Sequence, residues 1–189
     1  SGSWCPIIYD KLPIGLKVIR HIEIDKNFLY KFTKLTRYDC SSDYEITGIK
    51  IPISMIILSC RKTNIKNLDH LINLRKLYCR GCIKITGKNL PSSLVLLSCK
   101  DCKNIKDLSH LINLQILICD NCRKIIDKKL PLGIKELYCQ NTNIRSVKHL
   151  KKLKYIDCRK TNIIGIHYYI KNVKKVKNHI FYEYFTTFL

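Results

Sequence analysis

Pairs of cysteines are the residues in this sequence whose spacing most suggests chemistry. Three Cys-x-x-Cys motifs follow one another at intervals of 20 residues: Cys79/Cys82, Cys99/Cys102 and Cys119/Cys122. Two such motifs separated by roughly 15 to 20 residues supply the four thiolates of a zinc ribbon. Eleven cysteines in 189 residues also raise the hypothesis of a disulfide framework, which is typical of small secreted proteins.

A longer periodicity in the cysteines favours a structural role. The first cysteine of each pair belongs to a series that recurs every 19 or 20 residues: Cys40, Cys60, Cys79, Cys99, Cys119, Cys139 and Cys158. Cys60 and Cys158 occupy the same slot without a second cysteine three residues later, so the slot does not depend on a pair. Buried cysteine packs as a small hydrophobic residue, and burial raises the pKa of its thiol. We therefore expect reduced, unreactive thiols, with no metal and no cofactor.

Three of the histidines are also periodic. His70, His110 and His149 recur at intervals of 40 and 39 residues, each before an apolar Leu-x-x-Leu segment, which indicates a scaffold role. The sequence contains no glycine-rich phosphate loop, no nucleophile elbow and no paired-carboxylate motif. We therefore predict no catalytic residues and no enzymatic activity.

The elements that carry these residues are short. Each cysteine of the series follows an apolar residue two positions earlier and another five positions earlier, as in Leu74, Leu77 and Cys79. Apolar side chains at alternate positions turn one face of a short strand inward. After the strand the repeats read either Cys-x-x-Cys-x-x-Ile or Cys-x-x-Thr-x-Ile. The second Cys or Thr is placed where a side-chain donor can reach carbonyl groups of the turn.

The connections between strands are too short for crossover helices. They alternate between Leu-Pro or Ile-Pro openings and His-Leu-x-x-Leu segments, of which the second could form one turn of 3₁₀ or α-helix. At the N-terminus two registers fit. Leu12-Pro13-Ile14-Gly15-Leu16 matches Leu130-Pro131-Leu132-Gly133-Ile134 and makes His21 the cysteine equivalent, whereas a rival frame runs from Ile19 through Ile22 and Ile24. The spacing favours the first.

The repeat resembles the leucine-rich repeat, L-x-x-L-x-L-x-x-(N/C/T), with Cys in the third apolar slot. It is similar to short LP-type repeats of bacterial effectors, giant DNA viruses and amoebae. The resemblance implies a horseshoe-shaped solenoid with parallel strands on the concave face and irregular or short 3₁₀ turns on the convex face. We expect a tag remnant and N-terminal cap in residues 1–11, about eight or nine repeats in 12–180, and an aromatic C-terminal cap in 181–189.

Composition limits the classes of function. Lys and Arg total 35 and Asp and Glu 14, a formal net charge of +21, and the chain has no alanine. Lysine-rich, alanine-free sequences are typical of AT-rich genomes, such as those of giant viruses, so the charge alone does not establish a polyanion partner. No apolar run is long enough to span a membrane. We expect an intracellular protein, located in the cytoplasm, a host cytoplasm or a virion.

The resemblance also indicates which side chains line the concave face. Outward strand positions predict a strip of exposed apolar and aromatic residues across the middle repeats: Ile57, Tyr78, Leu96, Ile116, Ile118, Tyr138 and Tyr155. A basic rim surrounds the strip: Arg61, Arg80, Lys100 and Arg159. Contiguous apolar surface of this kind marks interaction sites.

These features predict a non-enzymatic scaffold that binds an unidentified protein through the concave face, most simply as a monomer. The alternative is a basic accessory protein that binds nucleic acid or an acidic surface nonspecifically. Nucleic acid is the weaker prediction, because no nucleic-acid-binding motif is present and many lysines fall in convex turns.

Overall fold

Each predicted apolar frame forms one strand of three residues. The computed structural model describes residues 13–20, 29–47, 51–164 and 175–177. Within these residues nine strands form one sheet: Val18–Arg20 (β1), Arg37–Asp39 (β2), Ile57–Ser59 (β3), Lys76–Tyr78 (β4), Leu96–Ser98 (β5), Ile116–Ile118 (β6), Glu136–Tyr138 (β7), Tyr155–Asp157 (β8) and Lys175–Lys177 (β9). All neighbours are parallel and the spatial order follows the chain, as in a solenoid with one strand per turn.

The strand register decides between the two N-terminal frames. Ile19 is the buried middle residue of β1 and pairs with Tyr38 of β2, which in turn pairs with Leu58 of β3. The first frame is therefore confirmed, and the rival frame centred on Ile22 is wrong. The predicted cysteine equivalent His21 and both predicted caps lie outside the described residues.

The core is a continuous stack of identical slots. In the repeats of β2 to β8, the middle strand residue, the apolar residue three positions before it and the following cysteine point inward, and in the central repeats they are fully buried. Parallel strands lie about 4.8 Å apart, so each slot packs directly on the same slot of the next repeat. The predicted hydrophobic spine is confirmed by this stacking.

The convex connections are single turns. Leu71 N–H donates to the Leu68 carbonyl and Leu94 N–H to the Pro91 carbonyl, at 3.1 and 3.3 Å. One such bond closes a turn without beginning a helix. The His-Leu-x-x-Leu segments, which could form one turn of 3₁₀ or α-helix, contain single turns of this kind, as between Leu74 N–H and the Leu71 carbonyl at 2.9 Å. Within the described residues, 3₁₀ helices occur at Leu29–Lys31 and Asp127–Lys129. No helix in the described part of the chain has the length and apolar content that crossing a bilayer requires.

A left-handed residue follows each strand from β2 to β8, two positions after the cysteine. These residues have positive φ: Ser42, Lys62, Gly81, Asp101, Asn121, Asn141 and Lys160. The left-handed conformation turns the N–H sideways, and Lys62 N–H donates to the Arg80 carbonyl of the next repeat at 2.8 Å. A row of such bonds extends the ladder beyond the short strands and offsets a conformation that costs non-glycine residues about 1 kcal/mol or more.

Candidate functional site

Two rows of side chains cover the solvent-facing side of the sheet, which we call the concave face. One row comes from the first residue of each strand and includes Ile57, Leu96 and Ile116; the other comes from the third and includes Tyr78 and Ile118. The parallel register aligns each row across the sheet. The rows arise because alternate strand positions face opposite sides and the middle position is committed to the core.

The structure brings the seven predicted contact residues together in one apolar strip across β3 to β8. Its members are half-buried: Ile57, Tyr78, Leu96, Ile116, Ile118, Tyr138 and Tyr155. The sequence predicted exposed side chains, and contact with residues of the adjoining strands explains part of the difference. The rings of Tyr138 and Tyr155 show this contact, with centroids 4.9 Å apart and planes inclined at 37°.

Carboxylates flank the two tyrosines at the C-terminal end of the apolar strip. Burial and the nearby Glu136 carboxylate raise the pKa of Tyr138, and burial and Asp157 raise the pKa of Tyr155. The Tyr138 hydroxyl lies 3.5 Å from Glu136 Oε2. Both phenols are therefore protonated at neutral pH, and the Tyr138 hydroxyl donates to Glu136 Oε2.

Ion pairs engage most of the predicted basic rim. Arg80 Nε lies 3.0 Å from Asp101 Oδ2, and Lys100 Nζ lies 3.8 Å from Asp120 Oδ2. These partners come from the neighbouring repeat on the same edge of the sheet.

Arg159 makes the tightest of the pairs, with Nη2 2.7 Å from Asp157 Oδ2 and Nε 2.9 Å from Oδ1. Asp157 is buried. Arg61 differs from the other three rim residues, since its guanidinium has no ion-pair partner among the described residues. The rim is therefore nearly neutral toward the C-terminal end and basic at Arg61.

The second residue of each Cys-x-x-Cys or Cys-x-x-Thr motif donates to a carbonyl, as the sequence predicted. In the threonine form the hydroxyl bonds its own strand-end cysteine, as in Thr142 Oγ1 to the Cys139 carbonyl at 2.8 Å. In the cysteine form the thiol reaches the preceding repeat, as in Cys102 Sγ to the Cys79 carbonyl at 3.0 Å. The threonine form therefore makes a hydrogen bond within its own repeat, whereas the cysteine form makes one to the preceding repeat.

The Cys-x-x-Cys pairs do not converge as zinc ligands would. Cys82 Sγ lies 2.8 Å from the Cys60 carbonyl, and Cys122 Sγ lies 3.0 Å from the Cys99 carbonyl. Within the described ranges no three His, Cys, Asp or Glu side chains are placed to hold one metal ion together. The thiols are occupied by contacts between repeats.

Burial dominates the electrostatics of the strand-end cysteines. Desolvation raises the pKa of the Cys119 and Cys139 thiols well above the ordinary value. The interaction between Cys60 and Cys82 raises the pKa of Cys60 and lowers the pKa of Cys82. Hydrogen bonding outweighs burial at Cys82 and Cys122, so the expectation of a raised pKa is wrong for these two thiols, although burial itself acts in the expected direction. All these thiols are fully enclosed.

Two of the three periodic histidines bridge repeats. His70 Nε2 lies 3.2 Å from the Ile51 carbonyl and His110 Nε2 lies 3.1 Å from the Leu90 carbonyl. Their scaffold role is confirmed by these contacts. His149 differs, because its buried Nε2 has no hydrogen-bond partner in the described part of the chain.

Two arginines on the concave face were not predicted as binding residues. Arg20 and Arg37 lie on β1 and β2 and line a cavity of about 370 Å³ together with Arg61. Arg37 occupies an outward strand position that the repeat frame identifies. Arg20 could be placed beside it only after the register of β1 was known.

The repeat geometry decides the type of fold. Strands recur at the 19- to 20-residue spacing of the sequence, all parallel and in chain order. A side-chain donor in the N/C/T slot bonds a carbonyl after each of six successive strands, from Thr63 to Thr161. The chain folds as a leucine-rich repeat solenoid. The predicted horseshoe architecture, with its strands on the concave side, is confirmed.

Comparisons with solved structures return other solenoids at low sequence identity. The functional domain of InlJ from Listeria monocytogenes, described as including a cysteine ladder, is 21% identical with a TM-score of 0.48, and the match covers 89% of this chain and 36% of that one. An internalin C2 from Listeria monocytogenes is 17% identical with a TM-score of 0.43, covering 82% of this chain and 84% of that one.

A third similar chain comes from an octameric complex of Latrophilin 3, Unc5D and FLRT2. It is 15% identical with a TM-score of 0.46, and the match covers 89% of this chain and 77% of that one. No protein-family model and no curated protein sequence matches the chain.

Proposed function

We propose that this leucine-rich repeat solenoid is a non-enzymatic scaffold that binds a protein partner through its concave face. The observation that carries the proposal is the apolar strip, which has at least one member at an outward position of every strand from β3 to β8, on the side of the sheet that the core does not use. Stacked repeats create extended binding surfaces of this kind.

The distribution of charge along the concave face supports a protein partner. The centre of the face is uncharged, since β5 and β6 present Leu96, Ser98, Ile116 and Ile118. Charged residues flank this centre, with Asp39 on β2 and the other carboxylates on β7 and β8. A centre poor in charge and rich in apolar and aromatic side chains, within a polar rim, is typical of protein interfaces.

The residues that could perform chemistry already have structural contacts, which supports a non-enzymatic role. The thiols of Cys82, Cys102 and Cys122 donate to carbonyls, and the imidazoles of His70 and His110 lie on carbonyls of the preceding repeat. Location inside a cell stays a prediction that follows from buried thiols in a reducing compartment.

A paired set of variants tests the proposed surface. Affinity capture from the native cell is compared for the unchanged protein and the double variant Leu96→Ser/Ile118→Ser, which removes apolar area from the centre of the strip. The control is Ile72→Ser/Ile112→Ser, because those side chains are 62% and 73% exposed in turns outside the sheet. We expect the captured partner to be lost only from the first variant. Equal capture by both would contradict the proposal.

Nonspecific binding to nucleic acid or an acidic surface is the second candidate. It is favoured by the net charge of +21 and by exposed lysines outside the strands: Lys88, Lys103, Lys106, Lys124, Lys128, Lys129, Lys148, Lys151 and Lys152. Such binding would weaken steeply with salt and ignore sequence, because it depends on counterion release. A partner complex held by the apolar strip would survive 0.5 M salt, which separates the two candidates.

A further inference from the structure

The N-terminal part of the concave face carries a polar cavity that the apolar strip does not explain. The cavity, about 370 Å³ in volume, opens across β1 to β4. Three guanidinium groups line it, from Arg20, Arg37 and Arg61, and we call it the arginine pocket. Its neutral side includes the hydroxyl-bearing residues Ser59 and Tyr78.

The three arginines of the pocket are free to bind an anion. Arg20, Arg37 and Arg61 are exposed, and none has an ion-pair partner among the described residues. On the same face Arg80, Lys100 and Arg159 are each paired with a carboxylate. Among the described residues, the pocket therefore brings together three arginines whose charge no carboxylate pairs.

The charge of the pocket matches a phosphate monoester. Three arginines and the single lining carboxylate, Asp39, give a net charge of 3 − 1 = +2. The Asp39 carboxylate accepts the Ser41 N–H at 3.0 Å. A phosphorylated side chain carries a charge of about −1.5 to −2 at neutral pH and offers three acceptor oxygens, and arginine binds such oxygens in a bidentate manner.

Hydroxyl groups supply donors beside the guanidinium groups. Ser59 Oγ lies 3.0 Å from Ser41 Oγ at the pocket wall. The Tyr78 hydroxyl has no hydrogen-bond partner in the part of the chain described. Ile57 and Tyr78 belong both to the pocket lining and to the apolar strip, so a peptide on the strip reaches the pocket.

A nucleic acid fits the same surface poorly, because positively charged residues do not continue across the sheet: they occupy outward positions of β1, β2 and β4, and then only the first and third positions of β9. Beyond β4 the outward strand positions are uncharged in β5 and β6 and include Glu136 and Asp157 in β7 and β8. A polyanion needs a basic track that follows its backbone. One group of arginines around a single cavity suits one anionic group.

We propose that the arginine pocket binds a phosphorylated side chain of the protein partner. The inference rests on the proposed function and adds a requirement for phosphorylation to it. The ligand class is a phosphate monoester on serine, threonine or tyrosine, presented by an extended segment that continues onto the apolar strip.

Titration calorimetry with synthetic peptides tests the pocket directly. The probes are Gly-Gly-pTyr-Gly-Gly and Gly-Gly-pSer-Gly-Gly, their unphosphorylated forms, and a ten-nucleotide oligothymidylate. We expect at least one phosphopeptide to bind at 150 mM salt and its unphosphorylated form to bind at least tenfold more weakly. The oligonucleotide is expected to bind no more tightly than the phosphopeptide.

Matched arginine variants locate the binding. Arg37→Gln and Arg61→Gln should each weaken phosphopeptide binding at least tenfold, and Arg37→Lys should give an intermediate loss because it keeps the charge without the bidentate geometry. Arg80→Gln is the control, since Arg80 is similarly exposed but already paired with Asp101. Circular dichroism and the urea midpoint establish that each variant is folded.

The proposal is overturned if neither phosphopeptide binds, if Arg80→Gln weakens binding as much as Arg37→Gln, or if the oligonucleotide binds more tightly than both phosphopeptides. The last result would support a polyanion site. Failure here would leave capture of a partner through Leu96 and Ile118 unaffected, so the proposed function and the phosphate requirement are tested separately.

Discussion

The same substitution in two repeats should have unequal effects, because only one repeat has a second donor. Thr63 and Thr142 are buried, and each hydroxyl donates to the carbonyl of the cysteine three residues before it at 2.8 Å. The Cys60 carbonyl also accepts Cys82 Sγ at 2.8 Å. The Cys139 carbonyl has the Thr142 hydroxyl as its one hydrogen-bond donor in the described structure.

Replacing either threonine with valine removes one hydrogen bond and keeps the side-chain shape. A lost hydrogen bond costs about 1 kcal/mol of unfolding free energy when the partner keeps another donor, whereas a buried acceptor left without any donor costs about 1 to 3 kcal/mol more. The new methyl group offsets part of both losses equally. We therefore expect Thr142→Val to be more destabilising than Thr63→Val by about 1 to 2 kcal/mol.

Urea denaturation followed by circular dichroism measures the difference as a shift in midpoint at constant slope. The control is a double-mutant cycle. In a Cys82→Ala background the Cys60 carbonyl loses its second donor, so Thr63→Val should then cost about as much as Thr142→Val, with a coupling energy of about 1 to 2 kcal/mol. Equal losses for the two single variants, or no coupling to Cys82, would refute the proposed roles of these donors.

Three further outcomes follow from the geometry. Gly87→Ala should lower the urea midpoint strongly, because φ is +97° and a Cβ would lie 2.5 Å from the Asp107 carbonyl oxygen, whereas Gly15→Ala meets no atom within 4 Å and serves as the control. The Asp107 carboxylate is held below its usual pKa by hydrogen bonds from Ser109 and by Lys129 at 2.9 Å. The ionised carboxylate therefore stabilises the fold above about pH 4, and this effect is lost as the pH falls below the pKa of the unfolded chain. Asp107→Asn should therefore flatten the acid side of a plot of unfolding free energy against pH. An unchanged plot would contradict this. EDTA should leave the melting temperature unchanged and elemental analysis should find no stoichiometric zinc, whereas a metal-dependent melting temperature would restore the zinc hypothesis for the Cys-x-x-Cys pairs.

Much of the fold could be predicted from the sequence because one physical unit is repeated. The spacing of Leu74, Leu77 and Cys79 specifies an inward-facing strand, and its recurrence every 19 or 20 residues specifies stacking in parallel. The outward rows follow from the same alternation, so the residues of the apolar strip could be named in advance. Their partial burial could not, because it depends on contacts between neighbouring strands.

Other features depend on backbone geometry that the residue types do not announce. Lysine has no preference for positive φ, so Lys62 and Lys160 gave no sign of the left-handed position that Asn121 and Gly81 share with them. The thiol of Cys82 reaches the preceding repeat while the hydroxyl of Thr142 stays in its own, a difference set by the path of the turn. The arginine pocket could be recognised only once the register of β1 was known, because that register places Arg20 beside Arg37.

Site-specific photocrosslinking tests directly whether a protein partner binds through the concave face. A photoreactive benzoylphenylalanine is placed at Leu96, in the centre of the concave face, or at Ile112, which is 73% exposed outside the sheet, and the protein is irradiated in its native cell. Binding through the concave face predicts a discrete crosslinked protein from position 96 and none from position 112. Crosslinking to that protein from position 112 alone would contradict binding through the concave face.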